Sequence, residues 1–533
     1  MLKVFKKHGK LRSISFLMSL IAIILVIITA FIDAKYINAN MILKLIGLLL
    51  FVVGGLILAI SSKEHRLSKS LLVIILTMFI FSWVMPYGYF QGADFYDYGM
   101  RRIGIIDLSI ALYNALYYSM DKLIYLIVLA GFYGVLSKIS GYQKMVTKLA
   151  DKCKKHVILT ATIMSVFLFV ATSLFAQTFM VLLFVPFLIS ILLSMKVDKL
   201  SAFAITFGSV LVGILGATFG TEGITSFNYY IGTEITVGLT YRYIIAAVAL
   251  VLYNFFISMR LKKALNDSKK KDNEAEVALD PFEVEPTRKK TSVIPVAIIL
   301  GIIFIVNILC YIAWNSNFGI EIFDTFHEWL TGLAPTEDFF IMSYVLGENA
   351  KAFGNYTYVF ALSSVLVLFV MLLAYLYKMS VNEFIESFYN GMKKMFKPIL
   401  YVLGVYLVFG ICYNTPIFGT ITNWMLNLVE GFNPFLTSFM AFITSLFYND
   451  LGFTSFSVGG FLTAVYANNI DLVHVIYTSM YGIVQLFMPT SCILVLGLSL
   501  MKLDYKSWLK YIWLFVVGMI VILLVLFTVV AYI

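Results

Sequence analysis

Apolar runs separated by short polar stretches dominate this chain, and a helix that crosses a membrane needs roughly 20 mostly apolar residues in succession. Runs near that length fall at 14–32, 41–60, 70–85, 120–137, 243–259, 292–313, 356–377, 398–414 and 511–531, and each predicts a span. A polar loop from Tyr87 to Asp107 separates the third from the fourth. Two further stretches, 157–195 and 435–466, are polar at their centres. The first holds Thr172, Ser173, Gln177 and Thr178; the second holds Tyr448-Asn449-Asp450-Leu451-Gly452-Phe453-Thr454. Lysines flank the first at both ends (Lys152, Lys154 and Lys155, then Lys196 and Lys199), so it predicts a hairpin that enters and leaves on one side. Its polar tip is tolerated at membrane depth only when buried in protein. The second lacks Lys and Arg at both ends and predicts a hairpin opening to the other side.

After each hairpin comes an apolar span interrupted near its middle. The span 200–235 is broken at Gly216-Ala217-Thr218-Phe219-Gly220-Thr221-Glu222-Gly223, and 473–503 at Phe487-Met488-Pro489-Thr490-Ser491-Cys492. In lipid a helix gives up its backbone hydrogen bonds only where the loosened groups line a polar cavity. Matching breaks in two halves point to a midplane solute site, and hairpin-then-broken-span with opposite sidedness is an inverted repeat. The expected architecture is an all-α polytopic membrane protein with about eleven transmembrane helices and two re-entrant hairpins. It divides into N-terminal spans (1–105), a first repeat (106–259), a charged cytoplasmic linker (260–291), connecting spans with an outside acidic segment (292–391) and a second repeat (392–533). That acidic segment holds Glu321, Asp324, Glu328, Glu337, Asp338 and Glu348.

Composition agrees with this class. Hydrophobic residues make up 61% of the 533 and charged residues only 13%, with a mean hydropathy of +0.93, far from the near-even apolar share and one-quarter charge of a soluble globule. The net charge of +10 comes from Lys and Arg in short loops beside spans, where they set orientation, so no nucleic-acid partner is expected. Orientation puts the N-terminus and the loop with Lys138, Lys144 and Lys148 in the cytoplasm, the C-terminus outside, and the chain in the plasma membrane. The first run follows Lys3, Lys6, Lys7, Lys10 and Arg12 but is too long for a signal peptide, and reads as a retained span. Cys153, Cys310, Cys412 and Cys492 are isolated, which indicates neither a disulfide framework nor a zinc site. No nucleophile or metal constellation suggests an enzyme, and no cofactor is expected.

Intramembrane carboxylates are costly, about 2.5–3.5 kcal/mol for Asp on insertion scales, and usually mark an ion or substrate path. Glu222 at the first break and Asp450 at the second tip supply one per repeat. They would attract a cationic group, while helix N-termini at the breaks would hold a carboxylate. That pairing favours an amino acid, basic ones included. No Arg or Lys lies in the four motif segments, which counts against a dicarboxylate. The bland alternatives are kinks at Gly or Pro, hydroxyls that merely satisfy helix ends, and carboxylates at the membrane surface.

The run Pro489-Thr490-Ser491, with Leu503-Asp504-Tyr505-Lys506-Ser507-Trp508-Leu509-Lys510 after it, resembles the C-terminal signature of YfcC-type transporters in the four-carbon dicarboxylate anaerobic carrier family. Trp83-Val84-Met85-Pro86-Tyr87-Gly88, Gly134-Val135-Leu136-Ser137-Lys138-Ile139-Ser140-Gly141 and Val212-Gly213-Ile214-Leu215-Gly216-Ala217-Thr218 extend the similarity from about residue 70 to the end. The resemblance implies the ion transporter superfamily fold with elevator-type alternating access, and substrates among dicarboxylates and amino acids, including arginine–ornithine antiport. Gly220-Thr221 stands where relatives have Asn-Pro, and Gln485 where they have Asn. The coupling ion is a proton or sodium, and the loss of an amide ligand at Gly220 weakens the case for sodium. The candidate binding residues are Ser173, Gln177 and Thr178 at the first tip and Ala217, Thr218, Gly220 and Glu222 at the first break. Asn449, Asp450, Gly452 and Thr454 serve at the second tip, with Gln485, Pro489, Thr490 and Ser491 at the second break. The expected partners are a small-molecule substrate and the lipid bilayer, with a homodimer as the assembly; a channel is the competing transport class.

Overall fold

The computed structural model describes residues 10–29, 31, 37–220, 222–270, 291–336, 339–426, 428–429 and 431–532. Along the chain the helices are α1 (Lys10–Thr29), α2 (Ile37–Ile60), α3 (Arg66–Val84), α4 (Asp107–Lys138), α5 (Ser140–Cys153), α6 (Val157–Leu174), α7 (Thr178–Val181) and α8 (Val185–Ser194). They continue with α9 (Lys199–Phe203), a π-turn over Ala204–Gly208, α10 (Ser209–Leu215), α11 (Glu222–Ile231), α12 (Leu239–Lys270), α13 (Ile294–Tyr311), α14 (Trp314–Phe318), α15 (Ile322–Thr331) and α16 (Ile341–Leu346). The last are α17 (Ser363–Leu376), α18 (Val381–Asn414), α19 (Ile417–Leu426), α20 (Pro434–Phe447), α21 (Leu451–Val465), α22 (Ile470–Gln485), α23 (Cys492–Leu500) and α24 (Tyr505–Tyr532). Among the described residues nine helices are long and apolar enough to cross a membrane. The two expected broken spans are not among them, because each break divides its run into shorter helices.

The expected hairpins fall on α6 with α7–α8 and on α20 with α21, each turning at its polar centre. Several boundaries need correction. The loop 87–107 contains an antiparallel β-hairpin, β1 (Gly88–Gln91) with β2 (Asp94–Asp97), in which Tyr89 faces Tyr96. The helix expected at 243–259 runs on to Lys270, so the linker does not begin at 260. Lys and Ala are strong helix formers, and charge alone does not end a helix. The span at 398–414 is the second half of α18, 34 residues long with Pro398 inside it. The rest of the linker, Thr221, the Glu222 side chain, Glu337 and Asp338 lie outside the described residues.

Two compact units divide the chain. One comprises Met1–Ser119, Ser226–Gly238 and Leu400–Ile533. Within it α20 packs along α22 and α24, and the turn between α20 and α21 is wedged by aromatics. Phe418 lies 5.2 Å from Phe447 and 4.9 Å from Tyr448, and Tyr448 lies 4.9 Å from Phe453 (ring centroids). Such edge and tilted contacts between large buried rings fix a turn that few hydrogen bonds could hold. The other unit comprises Met120–Thr225 and Leu239–Ile399. There α6 packs on α10 and α12, and α4 crosses α18 at Gly134 and Gly391. A Cβ on Gly134 would lie 2.5 Å from the Ser387 carbonyl oxygen and 2.7 Å from the Gly391 Cα, so only glycines permit this backbone approach.

Candidate functional site

In the unit with the first repeat, Ser173 organises the break. It is the penultimate residue of α6, where carbonyls have no partner in the helix itself. Its carbonyl accepts the Gly220 amide at 2.7 Å and the Thr218 amide at 3.3 Å. Its hydroxyl lies 2.9 Å from the Thr218 hydroxyl, donates to the Gly216 carbonyl at 2.9 Å and accepts the Thr218 amide at 3.0 Å. One serine thus ties the hairpin end to the interrupted span. The hairpin tip is fixed as well: the Ala176 amide donates to the Tyr311 carbonyl at 2.9 Å, and Gln177 Nε2 donates to the Thr357 carbonyl at 2.6 Å. Upstream, the Ala204 carbonyl at the start of the π-turn accepts the Tyr253 hydroxyl at 2.7 Å.

The Thr218 carbonyl has a partner that the motif segments do not contain. Arg242, in the first turn of α12 and 2% exposed, donates Nη1 to it at 2.5 Å. A cation therefore stands at the first break, although the four motif segments hold no Arg or Lys. The expected span starts at 243, one residue past Arg242. A single basic residue at the edge of an apolar run, one span away from the basic cluster at Arg260, was the available signal.

In the other unit, Thr490 and Ser491 lie in the second break and are fully buried. The Thr490 hydroxyl donates to the Leu446 carbonyl at 2.9 Å, in the last turn of α20, while the Ser491 hydroxyl accepts the Leu494 amide at 3.4 Å and caps α23. The broken end of α22 is completed from α24. Trp508 Nε1 donates to the Leu486 carbonyl at 2.8 Å and the Tyr505 hydroxyl to the Phe487 carbonyl at 2.6 Å. At the tip, Asp450 caps α21 by accepting the Gly452 amide at 2.8 Å, and the Asn449 carbonyl accepts the Tyr481 hydroxyl at 2.8 Å. Asn449 Nδ2 reaches Cys492 Sγ at 3.6 Å. Asn449 Oδ1, Thr454 Oγ1 and Gln485 Nε2 are among the polar atoms buried here without a hydrogen-bond partner among the described residues.

The structure therefore joins Ser173, Thr218 and Gly220 at the first break, with Ala217 buried beside them and Gln177 turned to Thr357. Thr178 starts α7 and is half-buried. It joins Asn449 to the second break through Cys492, and Thr490 to the end of α20, with Pro489 buried between α22 and α23. Asp450 has a capping role as well as a charge. Among the described residues no group of three or more His, Cys, Asp or Glu is arranged to hold a metal ion.

The family model described as C4-dicarboxylate anaerobic carrier matches residues 17–532. No curated protein matches the chain. Among solved structures, the YdaH transporter of Alcanivorax borkumensis is similar with a TM-score of 0.40 and 10% identity, covering 87% of this chain and 98% of its own. With nearly its whole length matched, the chain belongs to the C4-dicarboxylate anaerobic carrier family and is a membrane transporter.

Proposed function

We propose that the chain is a secondary active transporter of a small carboxylate-bearing solute in the plasma membrane, with its N-terminus in the cytoplasm. The observation that carries the reading is the set of partnerless buried atoms on Asn449, Thr454 and Gln485. Leaving a buried donor or acceptor unpaired costs about 1–3 kcal/mol. Three at one interrupted helix and its hairpin tip are the polar lining that a solute completes.

Four-carbon dicarboxylates are the first reading, supported by the family description and by a cation at the first break. An amino acid such as arginine or ornithine, moved by exchange, is the second. It is favoured by the Asp450 carboxylate at the second tip, which could pair with a cationic group. A proton or sodium gradient is the coupling source where transport is not exchange, and elevator-type alternating access belongs to the same reading.

Counterflow in proteoliposomes with labelled succinate, fumarate, arginine and ornithine decides among these. A saturable exchange with one class is expected. Uptake that neither saturates nor exchanges would make the protein a channel. Asp450→Asn sharpens the choice because asparagine caps a helix about as well as aspartate. The variant should therefore fold normally while removing the charge. If arginine is the solute, its KM rises about tenfold or more on loss of a charge-assisted contact; with succinate as the solute, transport is retained.

A further inference from the structure

We propose that α1, α2 and α3 hold one anionic phospholipid, with Lys44 on its headgroup phosphate and an acyl chain in the cavity below; this does not depend on which solute is carried. The three helices belong to one compact unit and leave between them a cavity of about 170 Å³. Every residue that lines it is apolar except Lys44. A dry cavity of about 150 Å³ already takes up small apolar molecules. Ile23 and Ile27, on its α1 wall, are 46% and 54% exposed, so the cavity lies at a surface that meets hydrocarbon, and the apolar group at hand there is a lipid tail.

The depth of Lys44 matches a headgroup contact. Asn40 Nδ2 donates to the Thr29 carbonyl at 3.2 Å, which sets the end of α1 level with Asn40. Lys44 is one helical turn further in, about 6 Å at 1.5 Å per residue, and from there a lysine side chain reaches the interface. Val84 ends α3 at the cavity's edge, and Trp83 beside it is 53% exposed, as tryptophans at the membrane surface are. Phe51 lines the cavity seven residues beyond Lys44 on α2, about 10 Å deeper. The cavity thus runs along the span from headgroup level into hydrocarbon, as an acyl chain does. Charge then selects the headgroup. Among the described residues the Lys44 ammonium makes no hydrogen bond, ion pair or ring contact. A cation in an apolar wall is costly without a partner, and a phosphate supplies both the opposite charge and strong acceptor oxygens.

The test measures lipid binding to the full chain, purified and stripped of lipid, by native mass spectrometry with phosphatidylglycerol or phosphatidylcholine of the same acyl chains. The wild type should retain one phosphatidylglycerol at a concentration where phosphatidylcholine is not retained. Lys44→Gln should raise the half-saturating phosphatidylglycerol concentration about fivefold, the worth of one lysine at an anionic surface, and abolish the preference; Lys44→Arg should keep it. Ile80→Trp fills the cavity with Lys44 in place and should abolish retention of that one lipid, as should Val26→Phe from the α1 side. Equal retention of both lipids by the wild type, or unchanged retention by filled variants that melt cooperatively, would overturn the proposal. Lys44 is half-buried, so its variants decide even where the filled ones do not fold, and an unchanged preference in Lys44→Gln overturns it alone. An equal loss in Lys63→Gln, at an exposed lysine outside the cavity, would reduce the effect to general surface charge and overturn it too. If filling the cavity turns a dimer into a monomer, the occupant is a second copy of the chain and not a lipid.

Discussion

Tyr505 and Trp508 show what a broken helix in lipid demands of residues beyond the break. When α22 stops at Gln485, the carbonyls of Leu486 and Phe487 lose their helical partners, and water is not at hand to replace them. Trp508 and Tyr505 fill those places at 2.8 and 2.6 Å. Tyr505→Phe keeps the ring and removes one donor, so it should cost about 1–3 kcal/mol, and Trp508→Phe, which also exchanges a buried indole for a smaller ring, should cost at least as much. The measurement is thermal melting in detergent, and wild-type melting temperatures would show that the carbonyls find other partners. Between these two rings and the preceding helix, Asp504 pairs with Arg66 at 2.6 Å. Partial burial alone would raise its carboxyl, but the hydrogen bond and charge of Arg66, with bonds from Ser507, outweigh it and hold the group below the usual carboxylate range. Because the folded value is the lower one, the pair stabilises the protein above the unfolded carboxylate value and loses its effect as pH falls through the folded one. Both side chains are partly exposed, so the contribution is about 0.2–1 kcal/mol. Asp504→Asn should melt slightly earlier than wild type at neutral pH, with the difference vanishing in strong acid. A gap that persists there would show that the stabilisation does not come from the charge.

At the scale of elements, the hairpins and breaks could be read from the chain because a few polar residues in an apolar run are costly and therefore informative. Ser173, Asp450 and Thr490 stood out for that reason, and each sits where an irregular backbone needs a partner. What hydropathy alone could not show has equally physical causes. The first half of α18 carries Glu383, Glu386, Lys393, Lys394 and Lys397 and scans as a loop, yet Phe384, Phe388 and Met395 recur at helical spacing. The ten-residue α19 is too short to differ from any apolar connection. The Gly134 and Gly141 motif carries a family resemblance without revealing its reason, which is a close backbone approach that no side chain fits, to α18 at Gly134 and to Ser292 at Gly141. Gly220 belongs to the same class. A Cβ there would lie 2.7 Å from the Leu174 carbonyl carbon and the Phe175 carbonyl oxygen, both backbone atoms that cannot rotate away. Gly220→Ala should therefore cost about 1–3 kcal/mol as an overpacked contact and lower transport by displacing the Ser173 bonds. Wild-type melting and uptake would show that the turn can open without consequence.

For the whole molecule the open matter is which side of the membrane each loop faces, and helix length constrains it. The arms of the second hairpin, α20 and α21, have 14 and 15 residues, about 21–23 Å at 1.5 Å per residue. That falls short of a hydrocarbon core of about 30 Å, so the tip at Asp450 ends inside the bilayer if the arms start at its surface. The first hairpin is less decisive. Its α6 arm has 18 residues, or about 27 Å, nearly enough to cross. Charge must then supply the argument: Lys148 precedes α6 and Lys199 follows α8, and short basic loops stay in the cytoplasm. Single cysteines placed at Lys148, Lys199 and Lys506 in a background lacking the native cysteines should all react from the cytoplasmic side, and one at Glu328 from outside. Labelling of 148 and 199 from opposite faces would mean that the chain crosses once between them. The first hairpin would then be a span, the two repeats would run in the same sense, and the two breaks would no longer be related by an inverted repeat.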